Sequence, residues 1–139
     1  MRMGFVYRRA LRFAETDMAG VGHFSAVLTL VEEAWHAWLL EMGQSPHPSA
    51  APPGAEGVGW PVVSVSCDFA KPLHFNEEVA VTLAVERLGP RSVKMRFTLE
   101  GAAGESAAGQ FAVACAVPDD NGGWRPRQVP ERLHAAISG

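Results

Sequence analysis

Cysteine is scarce. The 139 residues contain two, Cys67 and Cys115, with no Cys-x-x-Cys and no zinc-ligand spacing. Both fall in apolar, strand-like runs far apart in sequence, so they read as buried thiols in a reducing compartment. Long apolar runs are missing too. No segment reaches the roughly 18 apolar residues of a membrane span, and Arg8, Arg9 and Arg12 interrupt the N-terminal stretch before a signal core can form. A cytoplasmic protein without membrane contact is therefore expected. Basic clusters are absent: the formal net charge is −3 at pH 7 and the isoelectric point is near 5.9, with scattered arginines. That balance excludes an electrostatic footprint for nucleic acid. There is no Gly-x-Ser-x-Gly elbow. His47, His74 and His134 lack metal-ligand spacing and read as ordinary loop or surface residues. Gly54, Gly57 and Gly59 lack the spacing of a nucleotide loop. No metal, no cofactor and no internal repeat is expected.

What is present is the composition of an ordinary globular chain, 47% hydrophobic and 19% charged, long enough for one domain over 1–139. Phe5, Tyr7, Leu11 and Phe13 alternate with Val6, Arg8, Ala10 and Arg12, which predicts a first strand with one exception, Arg9. From about Phe24 to Met42 the pattern is helical. Val27, Leu28, Leu30, Val31, Ala34, Trp35, Trp38, Leu39 and Met42 cover most of the circumference, so this helix is expected to be buried. Ser25 is the candidate N-cap, and Gly43 the residue that ends the helix. Residues 43–60 form a Pro/Gly-rich loop of unusual length, either a functional lid or a mobile linker.

Four more runs alternate at period two, namely 63–69, 78–86, 92–100 and 110–117, each with one apolar and one polar or small face. Turn residues separate them, including Gly89-Pro90, Gly101 to Gly104, and 119–123. A short helix is expected near Pro130. One apolar helix and one antiparallel sheet pack when the sheet curls around the helix.

The chemistry-bearing stretch is Glu15-Thr16-Asp17-Met18-Ala19-Gly20-Val21-Gly22-His23-Phe24. A carboxylate sits in a glycine-punctuated turn that feeds the buried helix. A helix N-terminus presents unpaired N–H groups and a partial positive charge. A carboxylate beside such donors suits acyl chemistry, because the donors can hold a developing oxyanion. Asp is common in turns and caps, so from the turn alone the favoured role of Asp17 is to order the turn and do nothing else.

With Phe13 before it and Glu32 in the following helix, this stretch resembles the acyl-CoA thioesterases of the 4-hydroxybenzoyl-CoA thioesterase family. Pro61-Val62-Val63, Phe69 to Phe75, Glu78-Val79, Arg91-Ser92-Val93 and Val129-Pro130-Glu131 extend the resemblance over nearly the whole chain. It implies an α+β hot-dog fold, an antiparallel five- or six-stranded sheet wrapped around one long central helix. It implies hydrolysis of a thioester to free acid and CoA, with Asp17 as nucleophile or general base. The oxyanion donor is then the backbone N–H of Phe24 or Ser25, with His23 bonding substrate or capping the helix. Substrate contacts fall on Gly20, Val27, Lys71 and Arg91, of which Arg91 is the best match for the CoA phosphates, ahead of Lys71 and Arg96. The chain departs from the family where Val27 replaces a frequent Tyr and Trp35 a frequent Arg. A homodimer with a continuous sheet, paired again into a tetramer, is implied, and acyl carrier protein can stand in for CoA.

Glu32 and Glu33 serve either a partner's site or buried hydrogen bonds, the structural role being favoured. A hot-dog hydratase is the second reading. Those enzymes pair Asp with His five residues later, or His with Glu about fourteen later. Here Asp17 and His23 are six apart, and Glu32 and Glu33 follow His23 by nine and ten. A non-catalytic acyl-thioester-binding module is the third.

Overall fold

The computed structural model of the chain describes residues 4–50 and 57–138. The elements run β1 (Gly4–Ala10), α1 (Phe24–Glu41), β2 (Val62–Phe69), β3 (Glu78–Leu88), β4 (Ser92–Gly101), β5 (Gly104–Ala114), β6 (Ala116–Pro118), β7 (Trp124–Pro126) and α2 (Glu131–Ser138). Five strands make one antiparallel sheet in the order β1-β3-β4-β5-β2, while β6 and β7 form a separate hairpin. The α+β architecture is the expected one, and the sheet has five strands. Part of the 43–60 loop falls on 51–56, outside the described residues. The part described is packed, with Gln44, Ser45, Val58 and Trp60 buried. No described helix is long and apolar enough to cross a membrane.

The period-two pattern explains the sheet. Val79, Val81, Leu83 and Val85 on β3, and Val93, Met95, Phe97 and Leu99 on β4, are all buried on one face. α1 lies on that face against β1 and β3. Trp38 stacks on Phe5 with ring centroids 5.9 Å apart, and Trp35 meets Trp38, Trp60 and Phe111 edge to face. α1 ends as expected, with Gly43 at φ +77°.

Several expectations are corrected. Phe13 is not in the strand: β1 stops at Ala10, residues 13–15 form a 3-10 turn, and Phe13 is exposed. His23, not Ser25, is the N-cap, in extended conformation and with no side-chain cap bond. β5 begins at Gly104 rather than near 110. Its first half, Ala107-Ala108-Gly109, is too small to show a period. The smallness is required, because a Cβ on Gly109 would run into the Ser66 carbonyl and the Phe97 ring. Val117 belongs to β6, and β7 was not foreseen. β2 departs most. Val65, Cys67 and Phe69 face the same side as Phe111, Gly109 and Ala107, yet Val62, Val63, Val65 and Phe69 are exposed. The faces are right, but α1 does not reach over this edge strand.

Candidate active site

Backbone pairing builds the Asp17 turn. Thr16 bridges Gly22 and Val21 bridges His74. Within the loop, Asp17 N–H donates to Val21 O (2.8 Å) and Gly20 N–H to Asp17 O (3.0 Å). Gly20 sits at φ +76°, a conformation that explains glycine at this corner. The Gly22 N–H to Leu73 O bond (2.8 Å) and the Phe75 N–H to Gly20 O bond (2.9 Å) fasten the turn to the segment before β3.

The Asp17 carboxylate is exposed. Its Oδ1 accepts the N–H groups of Ala19 (2.9 Å) and Val21 (3.0 Å). The Val21 N–H, ahead of the Ala19 N–H, holds the carboxyl below the usual aspartate range. Asp17 is thus an anion at neutral pH, and Oδ2 takes no donor among the described residues. After the turn, His23 N–H donates to Glu15 O (2.9 Å) and α1 starts at Phe24. The N–H groups of Phe24 and Ser25 have no acceptor among the described residues, as expected of a first helical turn.

A cleft of about 280 Å³ opens beside this helix start. His23, Phe24, Val27, Phe69, Lys71 and Leu73 are among its walls. Asp17 and Gly20 stand on the adjoining turn, whose residue Gly22 lines the cleft. Lys71 Nζ donates to Ala103 O (2.8 Å). A second cavity of about 230 Å³ runs further along α1, between Thr29, Glu32, Trp35 and His36 on the helix and Trp60, Val62 and Val65 near β2. His23, Phe24, Val27 and Lys71 are therefore brought together. Arg91 is not brought to them. It lies exposed at the β3–β4 turn, at the other end of the ten-residue strand β4, about 30 Å from the Asp17 end.

The two glutamates of α1 part company. Glu32 lines the second cavity. Glu33 turns toward β1 and accepts bonds from Tyr7 Oη (2.9 Å) and Arg9 Nε (2.7 Å). Burial pushes the Glu33 carboxyl up, but the Arg9 and Tyr7 bonds outweigh it and the net direction is down. No disulfide joins Cys67, half-buried, and Cys115, buried. His74 pairs with Glu77, His47 with Ser49, and His134 with Ser138.

Two arginines escaped the sequence reading. Cys115 N–H donates to Arg91 O and Arg127 N–H to Cys115 O, both at 2.9 Å, so Arg127 stands beside Arg91. Arg125 and the exposed Trp124 lie on the same hairpin. The available signal was the alternation Trp124-Arg125-Pro126-Arg127 directly after a Gly-Gly turn.

The sequence profile of the Thioesterase superfamily matches residues 19–108. A 1,4-dihydroxy-2-naphthoyl-CoA hydrolase of Prochlorococcus marinus (strain MIT 9303) is 34% identical over 96 residues, 65% of this chain and 62% of that protein. The match thus spans about three fifths of that relative's length. The crystal structure of a hypothetical protein of Thermus thermophilus superposes with a TM-score of 0.80 at 30% identity, over 98% of this chain and 96% of that one. A 4-hydroxybenzoyl-CoA thioesterase, solved with 4-hydroxybenzoyl-CoA, superposes at 0.80 with 14% identity, over 94% and 96% of the two chains, a likeness of fold.

Proposed function

The chain belongs to the thioesterase superfamily, and from that premise we propose that it hydrolyses an acyl-CoA to the free acid and CoA. The observation that carries the reading is the Asp17 turn. An anionic carboxylate with one open oxygen stands on the loop that leads, through His23, to the unpaired N–H groups of Phe24 and Ser25. In the proposed complex the thioester oxygen points at those N–H groups, which stabilise the tetrahedral oxyanion. Asp17 either attacks the carbonyl carbon, giving a mixed anhydride that water opens, or takes a proton from an attacking water. In both routes the carbon–sulfur bond breaks when the oxyanion collapses, and the thiolate leaves as CoA. His23 hydrogen-bonds substrate at the cleft wall, with Gly20 and Val27 on the acyl side.

The distance between Asp17 and Arg91 calls for a second subunit. β2 is an exposed, apolar sheet edge, a feature that invites pairing with another chain. Antiparallel pairing of two β2 strands reverses one sheet relative to the other. Arg91 of the partner subunit then meets the end of the sheet that carries Asp17, and supplies phosphate contacts with its Arg125 and Arg127. A homodimer is thus part of the reading, with two dimers paired again into a tetramer.

The test is a thiol-release screen on aliphatic and aromatic acyl-CoAs, with 1,4-dihydroxy-2-naphthoyl-CoA included because a hydrolase of that thioester is among the relatives. Turnover that Asp17→Asn lowers by about 10²–10⁴ is expected. No turnover on the panel, with acyl-CoA still bound, would favour a binding module instead. Turnover only of acyl carrier protein thioesters would move the carrier from CoA to protein.

A further inference from the structure

Arg9 breaks the apolar alternation of β1, and the fold turns it inward. It pairs with the buried Val79 on the face that carries Phe5 and Tyr7. Its side chain is 11% exposed. A guanidinium in that position needs every donor satisfied. Nη1 donates to Ala10 O (2.9 Å) and to Glu15 Oε1 (2.8 Å). Nη2 donates to Glu15 Oε2 (2.6 Å) and Glu33 Oε2 (3.2 Å), and Nε to Glu33 Oε1 (2.7 Å). Five N–H donors thus meet five acceptors, as a fork to each of two carboxylates.

The two carboxylates belong to the two arms of the candidate site. Glu15 precedes Asp17 by two residues, its Oε1 also accepts Arg12 N–H (2.9 Å), and its carbonyl accepts the His23 N–H. Glu33 lies on α1, about two and a half turns after Phe24. One arm carries the carboxylate, and the other carries the N–H groups of Phe24 and Ser25. No other described side chain bonds to both Glu15 and Glu33.

We propose that Arg9 is a positioning residue that sets the distance between the Asp17 carboxylate and the N-terminal N–H groups of α1 by clamping Glu15 to Glu33. The kinetic part of this inference rests on the thioesterase reading above. The structural part does not. A misplacement near 1 Å in such a constellation costs about 10²-fold in rate, whereas remote contacts to the CoA phosphates are unaffected. The clamp therefore acts on kcat and spares KM. Lysine has the charge of arginine but offers a single nitrogen, which cannot fork to two carboxylates at once.

The experiment compares Arg9→Lys, Asp17→Asn and the double variant. Measured are kcat, KM for an acyl-CoA that the wild type turns over, and hydrogen exchange of the His23 amide. Arg9→Lys is expected to lower kcat by about 10–100-fold with KM within about threefold, and to speed His23 exchange. In the Asp17→Asn background, Arg9→Lys is expected to lower kcat no further, because the two act as one unit. Wild-type kcat and exchange in Arg9→Lys, or a loss that simply multiplies with that of Asp17→Asn, would overturn the clamp. Should Arg9→Lys fail to fold, Glu33→Gln loosens the α1 fork alone. It must then lower kcat at constant KM, and an unchanged kcat overturns the clamp. If Asp17→Asn keeps full activity, the Asp17 mechanism fails by itself, while His23 exchange in Arg9→Lys still decides whether the clamp exists.

Discussion

The two flanks of α1 are built from opposite materials. On the β1 flank, Phe5 stacks on Trp38, and Tyr7 and Arg9 reach Glu33 across a closed, fully bonded seam. On the β2 flank, two cavities separate the helix from a strand whose valines and Phe69 are exposed. Both flanks derive from strands with similar apolar alternation. The contrast shows that one face of a helix can be spent on rigidity while the other is left for occupants. In the proposed reading those occupants are an acyl thioester and a second copy of the chain.

The largest expected effect lies where the flanks meet. Asp17→Asn keeps shape but removes the anion, and loss of a general base typically costs about 10²–10⁴ in rate. Binding of acyl-CoA should persist, so the variant traps substrate unhydrolysed. Retention of more than about a tenth of wild-type kcat, or a fall in melting temperature with kcat intact, sinks the catalytic role.

The closed flank is tested next. Trp38 is 1% exposed, and its truncation to Ala is expected to cost about 3–5 kcal/mol, lowering the melting temperature by about 10 °C or more. A similar loss from Phe69→Ala on the open flank would erase the distinction between the flanks.

On the open flank, Val63→Lys places a charge on the exposed edge. Sedimentation should then report half the wild-type mass, with the melting temperature of the subunit little changed. An unchanged mass rules out β2 as the joint, and a monomeric wild type removes the dimer from the reading. Arg91→Ala should raise KM for acyl-CoA more than it lowers kcat, by about tenfold or more for a lost charged hydrogen bond. An unchanged KM takes Arg91 out of carrier binding and favours a protein-borne acyl chain.

The smallest effect is with acid. The hydrogen bonds from Arg9 hold Glu15 below the ordinary glutamate range, and Glu33 is also lowered despite its burial. Folded values below unfolded ones stabilise the fold fully above about pH 4.3, and that stability is lost as pH falls through the folded values. Calorimetry should therefore find a melting temperature that drops below about pH 4.3, with a shallower drop in Glu33→Gln. A melting temperature that rises on acidification contradicts the ionic seam.

Some of this was legible in the order of residues. The run from Val27 to Leu39 marked a buried helix because most of its circumference is apolar, and Gly43 marked its end. β3 and β4 were legible because large side chains alternate with polar ones. β5 was only half legible, since Ala107, Ala108 and Gly109 carry no amplitude. β2 was legible as a strand but not as an exposed one. Alternation records which face a side chain takes, and exposure depends on whether another element lies over that face.

The sequence by itself therefore determined α1, β3, β4, the Asp17 turn and its place before the helix, since these rest on local periods and on turn chemistry a few residues wide. Tertiary structure alone decided that Arg9 meets Glu15 and Glu33, that Arg127 stands beside Arg91, and that Arg91 lies a strand's length from Asp17. Those relations join residues from 6 to 74 positions apart. Helix packing, chain reversal and sheet pairing create them through space, and no pattern along the chain encodes which residues these bring together.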